Sequence, residues 1–128
     1  MSKVRGIRGA TTVEADSPAL IIEATKELLQ AMENKNQLVL EDIAAAIFTT
    51  TPDLRSVYPA VAAREMGWTS VPLSCFAELE VSGSLPKCIR VLLLVNTEHN
   101  QAQMQHVYLR GARVLRPDLL GGSAVENN

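Results

Sequence analysis

The ten residues from Cys88 to Thr97, CIRVLLLVNT, constrain this chain more than any other stretch. From Cys88 to Val95 every residue is apolar except Arg90. A continuous apolar run of this kind reads as a strand buried on both faces. A charge in its middle is costly unless something pairs with it. The fold must therefore cover two faces of one strand and also place a partner against Arg90.

The best-marked helix lies upstream. Ser17 is a good N-cap, and Pro18 suits the first helical position. Ile21, Thr25, Leu28 and Met32 then recur at helical spacing, flanked by Leu20, Ala24 and Ala31. The segment Asn34 to Asn36 ends it. A shorter helix is expected from Pro59 through Val61, Ala62 and Arg64 to Met66, stopped by Gly67. Residues 3–13 and 106–109 read as two further strands. Residues 42–51, DIAAAIFTTT, are ambiguous: the alanines favour helix, whereas isoleucine, phenylalanine and threonine favour strand. Helices interleaved with strands imply helices layered on a mixed sheet. One long helix covers only part of a sheet. A second copy of the chain is the expected cover for the rest, making a homo-oligomer.

A chain of 128 residues suits one domain, here residues 1–120. The glycine- and asparagine-containing end, residues 121–128, reads as a flexible tail. The net charge of −2 carries no basic excess to draw in nucleic acid or an acidic membrane surface. The apolar runs fall short of the ~20 residues that a membrane-spanning helix needs. The opening MSKVRGIRG lacks the apolar core of a secretory signal. Cys75 and Cys88 match no zinc or redox spacing and read as free thiols, so a cytoplasmic location is expected.

Most familiar catalytic patterns are missing. His99 and His106 form no metal-binding pair of the HExxH kind, and there is no GxSxG elbow, phosphate loop or GxGxxG. What remains is a set of arginines in unusual places. Arg8 lies between Ile7 and Gly9, Arg90 lies in the apolar run, Arg64 is on the short helix, and Arg116 precedes Pro117. Tyr108 is in the last expected strand. Glu78 follows Cys75 by three residues, so the two share a face if residues 74–79 form a helical turn and point apart if they form a strand. Taken singly, each has an ordinary explanation. A lone strand arginine is usually an ion-pair partner or snorkels to an edge. Glu78 is then the partner of Arg90, Tyr108 a half-buried core residue, and the cysteines small core hydrophobes. Taken together, several fixed guanidiniums, one carboxylate and one phenol suit a small dianion, because arginine recognises carboxylates bidentately.

Five blocks carry a specific resemblance: VRGIRGATTVE, TPDLRSVYPAVAARE, GWTSVPLSCFAELEV, LPKCIRVLLLV and HVYLRGARVLRPDL. Occurring in this order over residues 4–119, they resemble the small homotrimeric class of chorismate mutase. The resemblance implies an α+β fold: a mixed five-stranded sheet packed against helices, with three chains forming a pseudo-α/β barrel. It implies active sites in clefts between neighbouring subunits. The reaction would be the Claisen rearrangement of chorismate to prephenate, on the route to phenylalanine and tyrosine, with no cofactor and no metal.

The resemblance also implies roles. Arg8 would contact a substrate carboxylate. Cys75 and Glu78 would sit by the ring hydroxyl, with Glu78 accepting its hydrogen bond. Arg90 would donate to the ether oxygen of the breaking bond, and Tyr108 would contact the side-chain carboxylate. Tyr58, Ala60 and Arg64 would come from the adjacent subunit. Leu73, Ser74 and Leu115 would line the pocket, and Arg116 with the tail would help cover it. Tyr58 and Val61 depart from the phenylalanine and lysine of the family pattern. The first adds a hydroxyl that needs a partner, and the second removes a positive charge from the rim.

The missing motifs fit this chemistry. A pericyclic rearrangement needs no nucleophile, proton transfer or metal; it needs a compact substrate conformation and a donor where charge develops. Two other readings share the expected trimer: an imine or enamine deaminase with an arginine at a subunit cleft, and a non-catalytic trimer that binds a metabolite.

Overall fold

A computed structural model describes residues 1–115. Arg116 and the tail lie outside the described residues. Five strands form one mixed sheet in the order β3-β2-β4-β1-β5. They are β1 (Lys3–Thr12), β2 (Ile43–Thr50), β3 (Leu73–Ala77), β4 (Cys88–Thr97) and β5 (Val107–Tyr108). β4 is central, antiparallel to both β1 and β2, whereas β3 and β5 run parallel to their neighbours. Among the described residues two helices, α1 (Pro18–Asn36) and α2 (Ala60–Glu65), and short 3-10 turns accompany the sheet. The fold is the expected α+β arrangement.

The helices form where the local signals place them. Ser17 adopts extended backbone and its Oγ accepts from the Leu20 amide, so one orphan donor of the first turn is satisfied. Gln37 closes α1 in the left-handed conformation. Ile21, Ala24, Leu28, Leu29 and Met32 make the buried stripe, and the buried Thr25 hydroxyl donates back to the Ile21 carbonyl at 2.7 Å. Gly67, at φ +90°, ends α2 as expected, and the Trp68 amide then bonds to the Ala63 carbonyl. At Gly9 an added Cβ would lie 2.5 Å from the Met32 sulfur, so glycine is what lets α1 sit this close to β1.

The core lies between the helices and one face of the sheet. Ile7 of β1, Phe48 of β2, and Val91, Leu93 and Val95 of β4 pack with Leu28, Leu29, Met32 and Trp68. Here β4 departs from expectation. Ile89, Val91, Leu93 and Val95 are buried, but Arg90, Leu92 and Leu94 alternate with them as half-buried residues. Among the described residues the apolar run is covered mainly on one face. A partial exception lies at the start of β4, where the 3-10 turn Arg110–Leu115 covers that other face. Ala112 and Leu115 pack there on Ala10, Cys88 and Tyr108.

The ambiguous segment is a strand, β2, interrupted by one bulge. The register between β2 and β4 shifts between Ile43 and Ala45. The bulge puts Ile43 and Ala46, three apart, on the same buried face, where an unbroken strand would point them to opposite faces. The last strand is shorter than expected, only Val107–Tyr108, although the Leu109 amide continues the seam to the Ala10 carbonyl.

Candidate active site

Arg90 sits in the middle of the sheet's open face. Its register partners are Ala10 on β1 and Thr49 on β2. Both are small, so a long side chain between them has room to extend. The space around it is a cavity of about 290 Å³, lined by Arg8, Ala10, Ile47, Thr49, Arg90, Leu92 and Tyr108 among others. Two guanidiniums and a phenol thus share one pocket with the Thr49 hydroxyl and aliphatic side chains. Tyr108 is 7% exposed and anchored by Ala10, Cys88 and Leu115. Arg8 is held from behind: its backbone amide donates to His106 Nδ1 at 2.9 Å, one step along the β1–β5 seam from the paired Gly9 and Val107.

The partner of Arg90 is Glu78. Arg90 Nε donates to Glu78 Oε1 at 2.6 Å, and both side chains are mostly buried. β3 delivers that carboxylate. Past Ala77 the chain keeps pairing with β2, the Glu78 amide bonding to the Thr50 carbonyl at 3.0 Å. The Thr49 hydroxyl adds a second, longer bond to the same Oε1 at 3.4 Å. A charge-assisted pair shielded from water in this way keeps a guanidinium fixed rather than snorkelling.

Because residues 73–77 are a strand, Cys75 and Glu78 point apart. Cys75 is the register partner of the buried Phe48 and packs against the helix-side core, while Glu78 reaches Arg90. Cys75 lines a second cavity, of about 520 Å³, with Phe48, Thr50, Tyr58 and Phe76. Tyr58 is 69% exposed there. Ala60 is buried at the start of α2, Arg64 is exposed on it, Leu73 is half-buried against the same core, and Ser74 is exposed. Leu115 is buried beside Tyr108. One chain therefore brings together Arg8, Glu78, Arg90, Tyr108 and Leu115, and keeps Tyr58 and Cys75 in a different cavity.

Two details escaped sequence reasoning. Thr49 belongs to the Arg90 pocket, and only the strand assignment of residues 43–50 would have placed it beside Arg90. The loop before Tyr58 is held by Asp16, whose Oδ1 accepts from the Arg55 and Ser56 amides at 3.0 Å each. The Ser56 hydroxyl bond and the Arg55 amide together hold the Asp16 carboxyl below its ordinary range. Nothing before Ser17 marks that contact, because its partners lie about forty residues away. The Cys88 thiol is pushed up to about 11, mainly by burial, with nearby Arg90 acting the other way. It is a core hydrophobe. Among the described residues no group of three His, Cys, Asp or Glu is placed to hold a metal, and no helix is long and apolar enough to cross a membrane.

Comparisons with known proteins agree on one family. The model of chorismate mutase type I matches residues 4–119. The chain is 49% identical over 117 residues to chorismate mutase AroH of Bacillus subtilis (strain 168), covering 91% of this chain and 92% of that protein. It is 55% identical over 117 residues to chorismate mutase AroH of Thermus thermophilus, covering 91% and 96%. Among solved structures, a chorismate mutase from Clostridium thermocellum superposes with a TM-score of 0.85 at 51% identity, covering 86% of this chain and 98% of that one.

Proposed function

This chain belongs to the chorismate mutase type I family and is an isomerase that rearranges chorismate to prephenate, in aromatic amino-acid biosynthesis; we propose that Arg90 is its central catalytic group, in a cleft completed by a neighbouring copy. The observation that carries the reading is the Arg90–Glu78 pair, set in a cavity shared with Arg8 and Tyr108.

The reaction moves electrons within one molecule. As the ether bond breaks, its oxygen gains negative charge. A donor already fixed at that point stabilises the transition state more than the ground state. Arg90 is always protonated, and its strand and Glu78 hold it. Because Glu78 occupies Nε, the terminal nitrogens of Arg90 serve the ether oxygen and a carboxylate. Glu78 accepts from the ring hydroxyl, and Cys75 contributes through the backbone of the strand that leads to Glu78, its thiol facing the other way. Arg8 and Tyr108 bind carboxylates. This holds the dianion in its compact reactive shape, which is where much of the barrier reduction arises.

The second wall comes from the adjacent subunit of a homotrimer and consists of Tyr58, Ala60 and Arg64. Leu73, Ser74 and Leu115 line the pocket, and Arg116 contributes from outside the described residues. Two features support an interfacial site. The sheet face carrying Arg90 is half-exposed in one chain, and the Tyr58 cavity is separate from the Arg90 cavity. No cofactor takes part in this scheme, and the enzyme works in the cytoplasm. The test is chorismate consumption by the purified protein, with sedimentation to fix its mass. Equimolar prephenate from a trimer supports the reading; dicarboxylate binding without turnover, or an active monomer, overturns it.

A further inference from the structure

The Arg90–Glu78 pair has a third member. Thr49 is the register partner of Arg90 on β2, and its Oγ1 donates to Glu78 Oε1 at 3.4 Å. Arg90 Nε donates to that same oxygen at 2.6 Å. The next residue, Thr50, accepts the Glu78 amide at 3.0 Å. Thr49 also lines the cavity that holds Arg90, Arg8 and Tyr108. Two neighbouring strands thus grip one carboxylate oxygen from two sides.

We propose that Thr49 is a positioning residue for the rearrangement: its hydroxyl keeps Glu78 on the Nε side of Arg90, so that the terminal guanidinium nitrogens stay available to the substrate. This inference rests on the reading of Arg90 given above. A carboxylate beside an arginine has a stronger alternative, the bidentate fork across two nitrogens. A hydroxyl that fixes one oxygen at Nε opposes that rotation. Without it, Glu78 swings toward the terminal nitrogens, and Arg90 must break an extra charge-assisted bond before it donates to the ether oxygen. That penalty falls on the transition state, where the donation grows, and not on carboxylate binding at Arg8 and Tyr108.

Thr49→Val and Thr49→Ser separate this role from packing. Valine keeps the branched shape that suits a strand and removes the hydroxyl; serine keeps the hydroxyl and removes the methyl. Loss of one side-chain bond of this kind predicts that Thr49→Val lowers kcat about fivefold with KM within about twofold of wild type, and that Thr49→Ser restores kcat. Wild-type kcat in Thr49→Val, a change confined to KM, or a Thr49→Ser enzyme as slow as Thr49→Val would each overturn the proposal. Arg90→Ala is measured alongside. If it keeps near wild-type kcat, the reading of Arg90 fails and this inference with it. If it collapses while Thr49→Val stays fast, only the role of Thr49 is lost.

Discussion

Arg90→Lys isolates the geometry of the guanidinium from its charge. In the resting protein Arg90 Nε is committed to Glu78 Oε1 at 2.6 Å. Arginine still has two terminal nitrogens for substrate. Lysine has one nitrogen, which either keeps Glu78 or reaches into the cavity. Losing one preorganised donor costs about 3 kcal/mol of transition-state stabilisation, which is a fall in kcat of roughly 100-fold or more. Stability should respond differently. Lysine still neutralises Glu78, whereas Arg90→Ala leaves a carboxylate that is 14% exposed without its cation. Arg90→Lys should therefore melt closer to wild type than Arg90→Ala while being similarly slow. The assay is the ultraviolet loss of chorismate at saturating substrate, paired with thermal unfolding of each variant. A lysine enzyme with kcat within about threefold of wild type would refute the argument that the fork matters.

Asp16→Asn tests the anchor of the Tyr58 loop. The folded carboxyl is lowered from its ordinary 3.8, so its contribution to stability is present above that value and is lost as pH falls through the lower folded value. The variant should melt earlier than wild type at pH 7, and the gap should close on acidification through and below pH ~4; a constant gap would count against the anchor. Cys88, buried with its thiol pushed up to about 11, should resist alkylation at pH 8 until the protein is unfolded, as mass spectrometry of native and denatured samples would show. Rapid native labelling would mean that the Ala112–Leu115 cover opens readily.

Much of the architecture was legible because its signals were local. The extended run with Arg90 marked β4 to the residue, Cys88–Thr97, and the Ser17–Pro18 pair marked the start of α1. Covering of β4 was harder to read. An apolar run does not say whether its second face is covered by the same chain, and here Leu92 and Leu94 are half-exposed in one copy. β2 was ambiguous because its alanines favour helix while its isoleucine, phenylalanine and threonines favour strand, and local propensity alone does not choose between them. β5 is too short for any periodicity, since two residues define it.

For the site, Glu78 was already in view as one possible partner of Arg90. The strand geometry of residues 73–77 then decided between the two readings and separated it from Cys75. Thr49 and Asp16 were invisible for a common reason. Each acts through a contact 29 or more residues away, with no local pattern around it. The grouping of Arg8, Glu78, Arg90 and Tyr108 rests on the register of all five strands, which no single stretch of sequence encodes.

The central claim is that Arg90 of one copy works opposite Arg64 of the next, and mixing two crippled chains tests it most directly. Arg90→Ala and Arg64→Ala proteins, differently tagged, are unfolded together, refolded and assayed for chorismate turnover. In a ring of random composition, each cleft has a chance of about one in four of receiving both intact arginines, so the mixture should regain about one-quarter of wild-type activity. An activity no higher than the average of the two parents would place both residues in the same copy's site and contradict the account.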